Sequence, residues 1–364
     1  MTIEQAKVPK QHGHTRIPLS PVQRLSLPWV RAASALGLLE AYASLRRRMV
    51  KWSACILVYH RVGNNYEFPS DVGLTTTKDF EKQIRYLRRR YELISLGELG
   101  RALHEGASIP ANAAVLTFDD GYRDSYLNAF PILKRYGVPA TIFLATGHID
   151  SGTPFWWDRV DYALHNTALE KVESDQLGTY HFKNTTERWL AARTIRGRLR
   201  DLLDSEKNLA IEELVKRLGV DMPSTLGRQM ILSWGEVREM AKDGIAFGAH
   251  TVNHPTLIGL PLEQARKEIV GSQRRIEENI DQPANTFAYP DGRPENVTDG
   301  IKSILRENRF VCAVCATATR FVSLSTDPYE LSRISPRWNF STFHLSISGA
   351  YPDLMAVMSR VRRG

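Results

Sequence analysis

The chain has 364 residues, enough for one large domain or two ordinary ones, and its 43% hydrophobic and 24% charged residues are typical of a globular protein. Its formal net charge of +8 favours acidic partners such as anionic polysaccharides or lipid headgroups. Nucleic acid is not indicated, because no nucleic-acid-binding motif accompanies the charge, and three Cys exclude a disulfide framework.

The first fifty residues divide into two segments. Residues 1–27 are polar and aperiodic, so they are predicted to be disordered. Residues 28–50 are predicted to form an amphipathic helix, which is too short to span a bilayer and lacks the organisation of a signal peptide. The protein is therefore expected in the cytoplasm. The helix either packs on the rest of the protein or makes a peripheral contact with the inner membrane.

Between residues 53 and 340, short apolar stretches alternate with amphipathic ones. Strands are predicted over 54–59, 91–95, 113–118, 140–144, 245–247, 285–289, 310–314 and 331–335. This alternation is typical of a parallel α/β sheet or barrel, and seven or eight strands suffice to close a barrel. The pattern breaks over about 152–230, where charged, helix-rich sequence predicts an inserted helical subdomain over the site face.

Two carboxylates stand at the end of one predicted strand. An apolar run begins at Ala113, and Asp119, Asp120 and Gly121 follow its last residues. Asp and Gly are common turn residues, so a strand-ending turn is the simplest interpretation. The carboxyl ends of parallel strands are, however, where α/β folds place their chemistry. A turn at Gly121 would let both carboxylates face one pocket.

Two His residues follow another short apolar stretch. His250 and His254 lie four positions apart, and Pro255 indicates a turn instead of a helix interior. A single His is more often a packing residue than a ligand. Two His with an Asp available fit the three-ligand pattern of catalytic zinc, which leaves a fourth position for water.

These motifs together resemble those of the polysaccharide deacetylases, the NodB-type domain of carbohydrate esterase family 4. TFDDG at 117–121 and HTVNH at 250–254 carry the resemblance, and FAYPDG at 287–292 is similar to the family's third motif. Leu331 to Ile334 resembles the closing strand of members linked to bacterial exopolysaccharide loci. The resemblance covers about residues 53–340 and leaves a C-terminal segment, 341–364. It implies a distorted (β/α)7–8 TIM-like barrel.

The resemblance also implies an activity, the removal of N-acetyl groups from amino sugars of an oligo- or polysaccharide or its precursor. By motif position, Asp120, His250 and His254 would hold one divalent metal ion, zinc. Asp119 would act as the general base on the attacking water. A backbone N–H near Asp291 would help to stabilise the oxyanion.

The sequence departs from the family pattern in two places. Ala288 stands where the third motif usually carries an Arg that orients the base. Arg333 is the predicted replacement and Arg293 the second candidate. The family's general acid, a His in a Leu-x-His motif, has no clean match. His60 is predicted to act in the pocket as acid or substrate contact, since it ends the first strand, whereas His344 lies outside the barrel pattern.

Three functions remain open on these residues. The first is a metal-dependent deacetylase, the second an amidohydrolase of a small non-sugar amide on the same fold, and the third a catalytically impaired carbohydrate-binding relic. Sugar rings stack on exposed aromatic side chains, and the candidates for this are Trp156, Trp157, Trp234 and Trp338.

A C-x-x-C sequence lies within a predicted strand. Cys312 and Cys315 are three positions apart, so they face opposite sides of the strand and are not expected to share a metal. They are predicted to be buried packing thiols, which suits a reducing compartment.

Overall fold

The structure is a computed structural model that describes residues 21–49, 54–64, 73–110, 112–200, 202–318, 321–336 and 340–351. Internal contacts divide the chain into two compact units. One unit contains Trp156–Asp221, and the other contains Leu25–Asn64, Asp71–Phe155 and Met222–Gly364. The strands, in chain order, are β1 (Cys55–Tyr59), β2 (Arg61–Val62), β3 (Leu74–Thr75), β4 (Glu92–Leu93), β5 (Ala113–Phe118), β6 (Thr141–Leu144), β7 (Lys171–Ser174), β8 (Gly178–His181), β9 (Ala246–Ala249), β10 (Thr286–Ala288), β11 (Cys312–Ala318) and β12 (Leu331–Arg333).

The described residues also form helices, together with a π-helical turn at Ser125–Ala129 and a 3₁₀ turn at Pro294–Asn296. In chain order they are α1 (Pro21–Ala35), α2 (Leu38–Met49), α3 (Thr77–Arg90), α4 (Leu96–Glu105), α5 (Phe130–Tyr136), α6 (Trp156–Asn166), α7 (Thr185–Arg200), α8 (Asp204–Arg217), α9 (Leu226–Met230), α10 (Trp234–Lys242), α11 (Leu262–Ile280), α12 (Asp299–Glu307) and α13 (Phe340–Ile347).

The larger unit is built on a parallel sheet in the order β1-β5-β6-β9-β10-β11-β12, with β4 paired to the start of β5. Every residue of β1 and β5 is buried, as expected for apolar runs covered on both faces of a parallel sheet. The two ends of the sheet meet where the N–H of Ile334 donates to Ile56 at 2.7 Å and the N–H of Val58 donates to Ile334 at 3.0 Å. The predicted barrel is therefore confirmed, and it is nearly closed.

Sequence signals set the ends of several barrel helices. Ser95 and Glu98 form a reciprocal capping box at the start of α4, which satisfies N–H groups that lack helical partners. Ser233 and Glu236 do the same for α10. At the end of α5, Gly137 has φ +61°, a left-handed conformation that terminates the helix at little steric cost.

The N-terminal region differs from the single helix predicted over 28–50. A first helix, α1, already begins at Pro21, and Gly37 with φ +72° separates it from α2. This left-handed glycine breaks the helix because it redirects the chain. Of the disorder predicted for residues 1–27, positions 1–20 lie outside the described residues, and the prediction is wrong for 21–27, which form the start of α1. None of the helices that the structure describes is long and apolar enough to cross a membrane.

The smaller unit has its own hydrophobic core. Helices α6, α7 and α8 pack with the antiparallel hairpin of β7 and β8 around side chains such as Phe182, Ile195 and Leu214. Arg196 and Asp161 form a buried ion pair at 3.0 Å between α7 and α6. The longest continuous segment of this unit, Trp156–Asp221, lies within the range of about 152–230 that the sequence predicts for the insertion. Its hairpin is not predicted from the sequence, because the two strands are short and half exposed. The location of this unit over the site face stays a prediction.

Both cysteines of the C-x-x-C sequence are buried thiols in β11, and neither forms a disulfide. The Sγ of Cys312 faces the carbonyl oxygen of Leu96, whereas the Sγ of Cys315 faces that of Leu331. The two thiols thus point to different neighbours, as the three-residue spacing predicts for a strand.

Candidate active site

The carboxylate of Asp119 is held by a buried guanidinium. Asp119 directly follows β5, and Arg333 is the last residue of β12. The Nη1 and Nη2 atoms of Arg333 donate to Oδ1 and Oδ2 of Asp119, each at 2.6 Å. The planar fork of Arg matches a carboxylate in this two-bond arrangement, which fixes orientation as well as charge. Nη1 also donates to Oγ1 of Thr117 at 3.2 Å, and the hydroxyl of Thr117 donates to the carbonyl of Leu57.

Asp120 faces a different set of neighbours from Asp119. Its φ is +73°, a conformation uncommon outside glycine, and Gly121 follows with φ +75°. A Cβ at Gly121 would lie 2.8 Å from the side chain of Leu144, so the turn requires glycine on two counts. As a result, Oδ1 of Asp120 lies 3.4 Å from Nε2 of His250 and 3.5 Å from Nε2 of His254.

The two His residues come from the loop that follows β9. His250 is buried, and its Nδ1 lies 2.7 Å from the carbonyl oxygen of Ala288. A carbonyl oxygen only accepts, so Nδ1 carries a proton and Nε2 faces Asp120. Within the loop, Thr251 and His254 have φ values of +66° and +56°. Such a conformation is a true outlier for the β-branched Thr, and strain of this kind is concentrated at functional sites.

Asp120, His250 and His254 form a group that fits one metal ion, with ligand atoms all within 4.8 Å of one another. Two ligand atoms that each lie about 2.1 Å from a tetrahedral zinc ion are about 3.4 Å apart. The two measured Asp–His separations match this value. Metal-binding His residues usually donate a hydrogen bond from the ring nitrogen that does not bind the metal, and His250 donates such a bond to the carbonyl oxygen of Ala288.

The protonation states of these groups are set by burial and by the charges they place on one another. Burial raises the pKa of Asp119, but the charge and hydrogen bonds of Arg333 outweigh it and hold this pKa well below its usual range. Burial also raises the pKa of Asp120, and the neighbouring His residues lower it more strongly. Burial and the charge of His250 lower the pKa of His254 to about 4. At neutral pH both carboxylates are ionised and His254 is neutral, as metal ligands require. Burial lowers the pKa of His250, but its hydrogen bond to Asp120 and the charges of both carboxylates raise it overall, so metal binding would release a proton from this imidazole.

His60 lies on the base side of the site. It follows β1 directly, and its Nε2 is 3.9 Å from Oδ2 of Asp119. This distance is longer than a hydrogen bond, and about a third of the His60 side chain is exposed. The structure therefore brings His60 to Asp119 without placing it in direct contact, and its role stays a prediction.

The other His and Arg candidates lie elsewhere. His344 is in α13, where its Nδ1 lies 2.9 Å from Oγ of Ser34 and its Nε2 lies 3.5 Å from Glu40. It therefore packs between α13 and the N-terminal helices. Arg293 is exposed at the start of a 3₁₀ turn, so the guanidinium on Asp119 belongs to Arg333.

The third motif passes directly behind the ligands. Its residue Ala288 is buried and supplies the carbonyl that binds His250. Asp291 and Gly292 both have φ +57°, and a Cβ at Gly292 would lie 2.4 Å from Ala316. At this turn the backbone of Gly292 packs closely against β11. The contribution of an N–H near Asp291 to an oxyanion site stays a prediction.

The Trp side chains that are candidates for sugar stacking differ in their exposure to solvent. Trp157 is largely buried within the smaller unit, whereas Trp156 and Trp234 are half-buried. Trp338 lies outside the described residues. Sugar stacking stays a prediction for these side chains.

Sequence reasoning misses Glu268, which is buried in α11 with 5% of its surface exposed. Its Oε2 accepts the backbone N–H groups of Val252 and Asn253 at 2.9 Å and 2.8 Å. Its Oε1 accepts Nδ2 of Asn253 at 2.8 Å. The available signal is an acidic residue beside the inward positions Ala265 and Ile269 of an amphipathic helix. A charge at such a position is unusual unless it has buried partners.

Comparison with known proteins agrees with the fold and the motifs. A sequence model of the family described as polysaccharide deacetylase matches residues 107–311. The poly-β-1,6-N-acetyl-D-glucosamine N-deacetylase of Staphylococcus epidermidis is 28% identical over 243 residues, which is 59% of this chain and 79% of that protein. A Bacillus subtilis relative is 22% identical over 65% of this chain, and the match spans 56% of the relative's length.

Two solved structures share the fold. IcaB from Ammonifex degensii superposes with a TM-score of 0.53 at 18% identity, and the Streptococcus pyogenes deacetylase PplD in complex with acetate with 0.52 at 20%. Each comparison covers 82% of this chain and 97% of the other. Since the family match extends over more than half of the sequence, this chain belongs to the polysaccharide deacetylase family.

Proposed function

We propose that this protein is a metal-dependent hydrolase that removes N-acetyl groups from amino sugars of a polysaccharide or its precursor. One observation carries the proposal: the Asp119–Arg333 pair lies beside the ligand group of Asp120, His250 and His254. A fixed carboxylate base next to an ion site is what hydrolysis of an unactivated amide needs. The similarity to an enzyme named for poly-β-1,6-N-acetyl-D-glucosamine supports a polymer of this sugar as the first substrate to test.

The ion in this proposal is zinc, held by Asp120, His250 and His254. One carboxylate and two imidazoles are the kind of ligand set that catalytic zinc sites use. When bound, such an ion lowers the pKa of water and polarises the acetyl carbonyl group. Binding is favoured by the buried, ionised carboxylate of Asp120, because Arg333 already compensates the charge of Asp119.

The residues around the ion site would divide the proton transfers between them. Asp119 accepts a proton from the attacking water, whose oxygen adds to the acetyl carbon. Arg333 keeps the Asp119 carboxylate in one orientation through its two hydrogen bonds. As the C–N bond breaks, the sugar nitrogen takes up a proton and acetate leaves, and His60 is the candidate donor of this proton.

Two other functions have less support from the geometry. A small-molecule amidohydrolase could use the same residues, because the fold does not determine the substrate. The relic hypothesis rested on the missing third-motif Arg and on the lack of a clean match to the family's general acid. Arg333 now lies where such an Arg would act, in contact with both oxygens of Asp119, and this argues for a working base.

Acetate release from N-acetylated oligosaccharides tests the proposed function. The panel should include β-1,6-linked N-acetylglucosamine oligomers of increasing length, small N-acetyl amides, and each reaction with and without a chelator. We expect release from the oligomers, loss of activity with chelator, and recovery when zinc is added back. Release from the small amides alone would favour the amidohydrolase, and no release from any substrate by zinc-loaded protein would favour the relic.

We also infer that helices α1 and α2 make a peripheral contact with the cytoplasmic face of the inner membrane. Large apolar side chains are exposed there, with Trp29 at 78%, Leu36 at 75% and Met49 at 77%. Exposed cations, Arg31 and Arg48, accompany them and suit anionic headgroups. On the opposite side of α2, Leu39 and Ala43 are buried. This helix therefore has two apolar faces: one packs on the rest of the protein, and the other is exposed.

Sedimentation with lipid vesicles tests this contact. The protein should bind vesicles that contain anionic lipid, and Trp29→Glu combined with Met49→Glu should abolish binding without changing acetate release from soluble oligomers. Equal sedimentation of the double variant and the unsubstituted protein would contradict the inference, as would export of the chain in a secretion-reporter fusion.

A further inference from the structure

We infer that Glu268 is a positioning residue that holds the His250–His254 loop in the geometry needed to bind the metal ion, an inference that rests on the proposed function. Glu268 belongs to a helix, α11, that contributes no candidate ligand. It reaches the loop through three hydrogen bonds, two to backbone N–H groups and one to a side-chain amide. All three donors belong to Val252 and Asn253, which lie between the two His ligands.

The loop needs such support because its backbone is strained. Thr251 and His254 both have left-handed φ angles, which are energetically unfavourable for residues other than glycine. A loop in this conformation would relax without external contacts, and relaxation would move the His254 side chain relative to His250. Bonds to the N–H groups at the centre of the loop oppose this relaxation directly.

The opposite edge of the loop is held as well. The N–H of Thr146 donates to the carbonyl of Thr251 at 3.2 Å, and the N–H of Gly147 donates to that of Val252 at 2.7 Å. A Cβ at Gly147 would lie 2.7 Å from the same Val252 oxygen, so the close approach requires glycine. The loop is therefore hydrogen-bonded through its carbonyl groups on one side and through its N–H groups on the other. Glu268 accepts the backbone N–H groups of both Val252 and Asn253.

The surroundings of Glu268 favour positioning of the loop over an ordinary ion pair. The carboxylate is 5% exposed, and in the described part of the chain it forms no salt bridge with Lys, Arg or His. A buried carboxylate is costly unless its oxygens accept good hydrogen bonds. Here the loop donors supply those bonds, so the conformation of the loop and the burial of the carboxylate depend on each other.

Three substitutions of Glu268 separate the effect of side-chain length from the effect of its charge. Glu268→Gln keeps the length of the side chain, and its oxygen still accepts both backbone N–H groups while the Asn253 amide turns to accept from its NH₂. Glu268→Asp keeps the charge but withdraws the oxygens by one methylene. Glu268→Ala removes both. The matched control is Glu277→Ala, which removes a half-buried carboxylate on the same helix that accepts the N–H of Ala284, away from the loop.

The readouts report the metal site and need no substrate. Zinc affinity is measured by competition with a chromophoric chelator, the arrangement of ligands by the visible spectrum of bound Co²⁺, and the Tm with and without zinc. Outer-shell substitutions typically cost about 10-fold to 100-fold in metal affinity. We expect a loss in that range for Glu268→Ala, about 10-fold for Glu268→Asp, and within about 3-fold for Glu268→Gln. The Co²⁺ spectrum should change for Ala and Asp only.

A purely structural role predicts a different set of results. The Tm of the zinc-free protein would fall for Glu268→Ala while its zinc affinity matched that of Glu277→Ala, and this outcome would overturn the inference. If Glu268→Ala does not fold, the comparison of Gln with Asp decides, and equal zinc affinities of these two would also overturn it. Absence of zinc binding by the unsubstituted protein would reject the proposed metal site itself, and with it the role of Glu268.

Discussion

The two halves of the candidate site are built in different ways. The ligand half, Asp120, His250 and His254, comes from two short motifs, and each motif bends through left-handed residues next to the ligands themselves. The base half, Asp119, Arg333 and His60, comes from the ends of three strands. Arg333 lies 214 positions from Asp119 in the chain and reaches it because β12 lies next to β1 in the barrel.

This difference predicts how each half fails. Strained loops hold the ligand half, so a change within a loop or its supports should lower metal affinity and leave the barrel intact. Closure of the sheet holds the base half, where the bonds of Ile334 to β1 place Arg333 beside Asp119. A change there should leave the metal bound and lower the rate. Substitutions in the two halves should therefore separate metal content from turnover.

The largest effect is expected from removing two ligands. His250→Ala combined with His254→Ala should abolish stoichiometric zinc binding, since a single carboxylate remains in the group. Deacetylation should fall by about a thousandfold or more, because a catalytic metal ion typically contributes several kcal/mol of transition-state stabilisation. Elemental analysis of the purified variant measures the first result. Retention of one equivalent of zinc would show that the ion binds elsewhere.

Loss of the base should follow in size. Asp119→Asn keeps the shape of the side chain but removes the proton acceptor, so turnover should drop by roughly a hundredfold or more. Zinc content should stay at the level of the unsubstituted protein, because Asp119 belongs to the other half. Near-normal turnover in a zinc-loaded Asp119→Asn protein would leave Asp119 as a turn residue only.

Arg333 tests whether orientation or charge matters for the base. Arg333→Lys keeps the charge but loses the planar fork that bonds both oxygens of Asp119. Turnover should therefore fall by about tenfold or more in both Arg333→Lys and Arg333→Ala, with zinc content unchanged. The exposed Arg293 offers a matched control, and Arg293→Ala should have little effect. Full activity of the Lys variant would show that charge alone suffices.

The smallest effect is expected at His60. About a third of its side chain is exposed, so water can replace it as a proton donor, and His60→Ala should lower amide hydrolysis by less than the roughly hundredfold expected at Asp119. An acid role predicts selectivity, because an aryl acetate ester has a leaving group that needs no proton. The variant should hydrolyse such an ester at close to the normal rate. An equal loss on ester and amide would indicate a positioning role instead.

The sequence predicts the barrel and both motifs well because their signals are local. Apolar runs at 54–59 and 113–118 are buried on both faces of the sheet, and turn residues such as Gly121 follow the strand that carries the acids. The break between α1 and α2 and the hairpin of β7 and β8 are missed. The break has a local cause, the left-handed Gly37, which a single helix over 28–50 leaves out. In the hairpin the strands are short and half exposed, so the local pattern is weak and packing on α6, α7 and α8 decides the outcome.

By itself, then, the sequence determined which residues stand at strand ends and which chemistry they offer, because strands, turns and motif spacing depend on neighbours in the chain. The tertiary structure alone decided that Arg333 and not Arg293 contacts Asp119, that His344 packs among helices, and that Glu268 supports the ligand loop. Each of these contacts joins residues far apart in the chain or on different elements. Such partners are chosen by closure of the sheet and by the packing of helices on it, which no local pattern encodes.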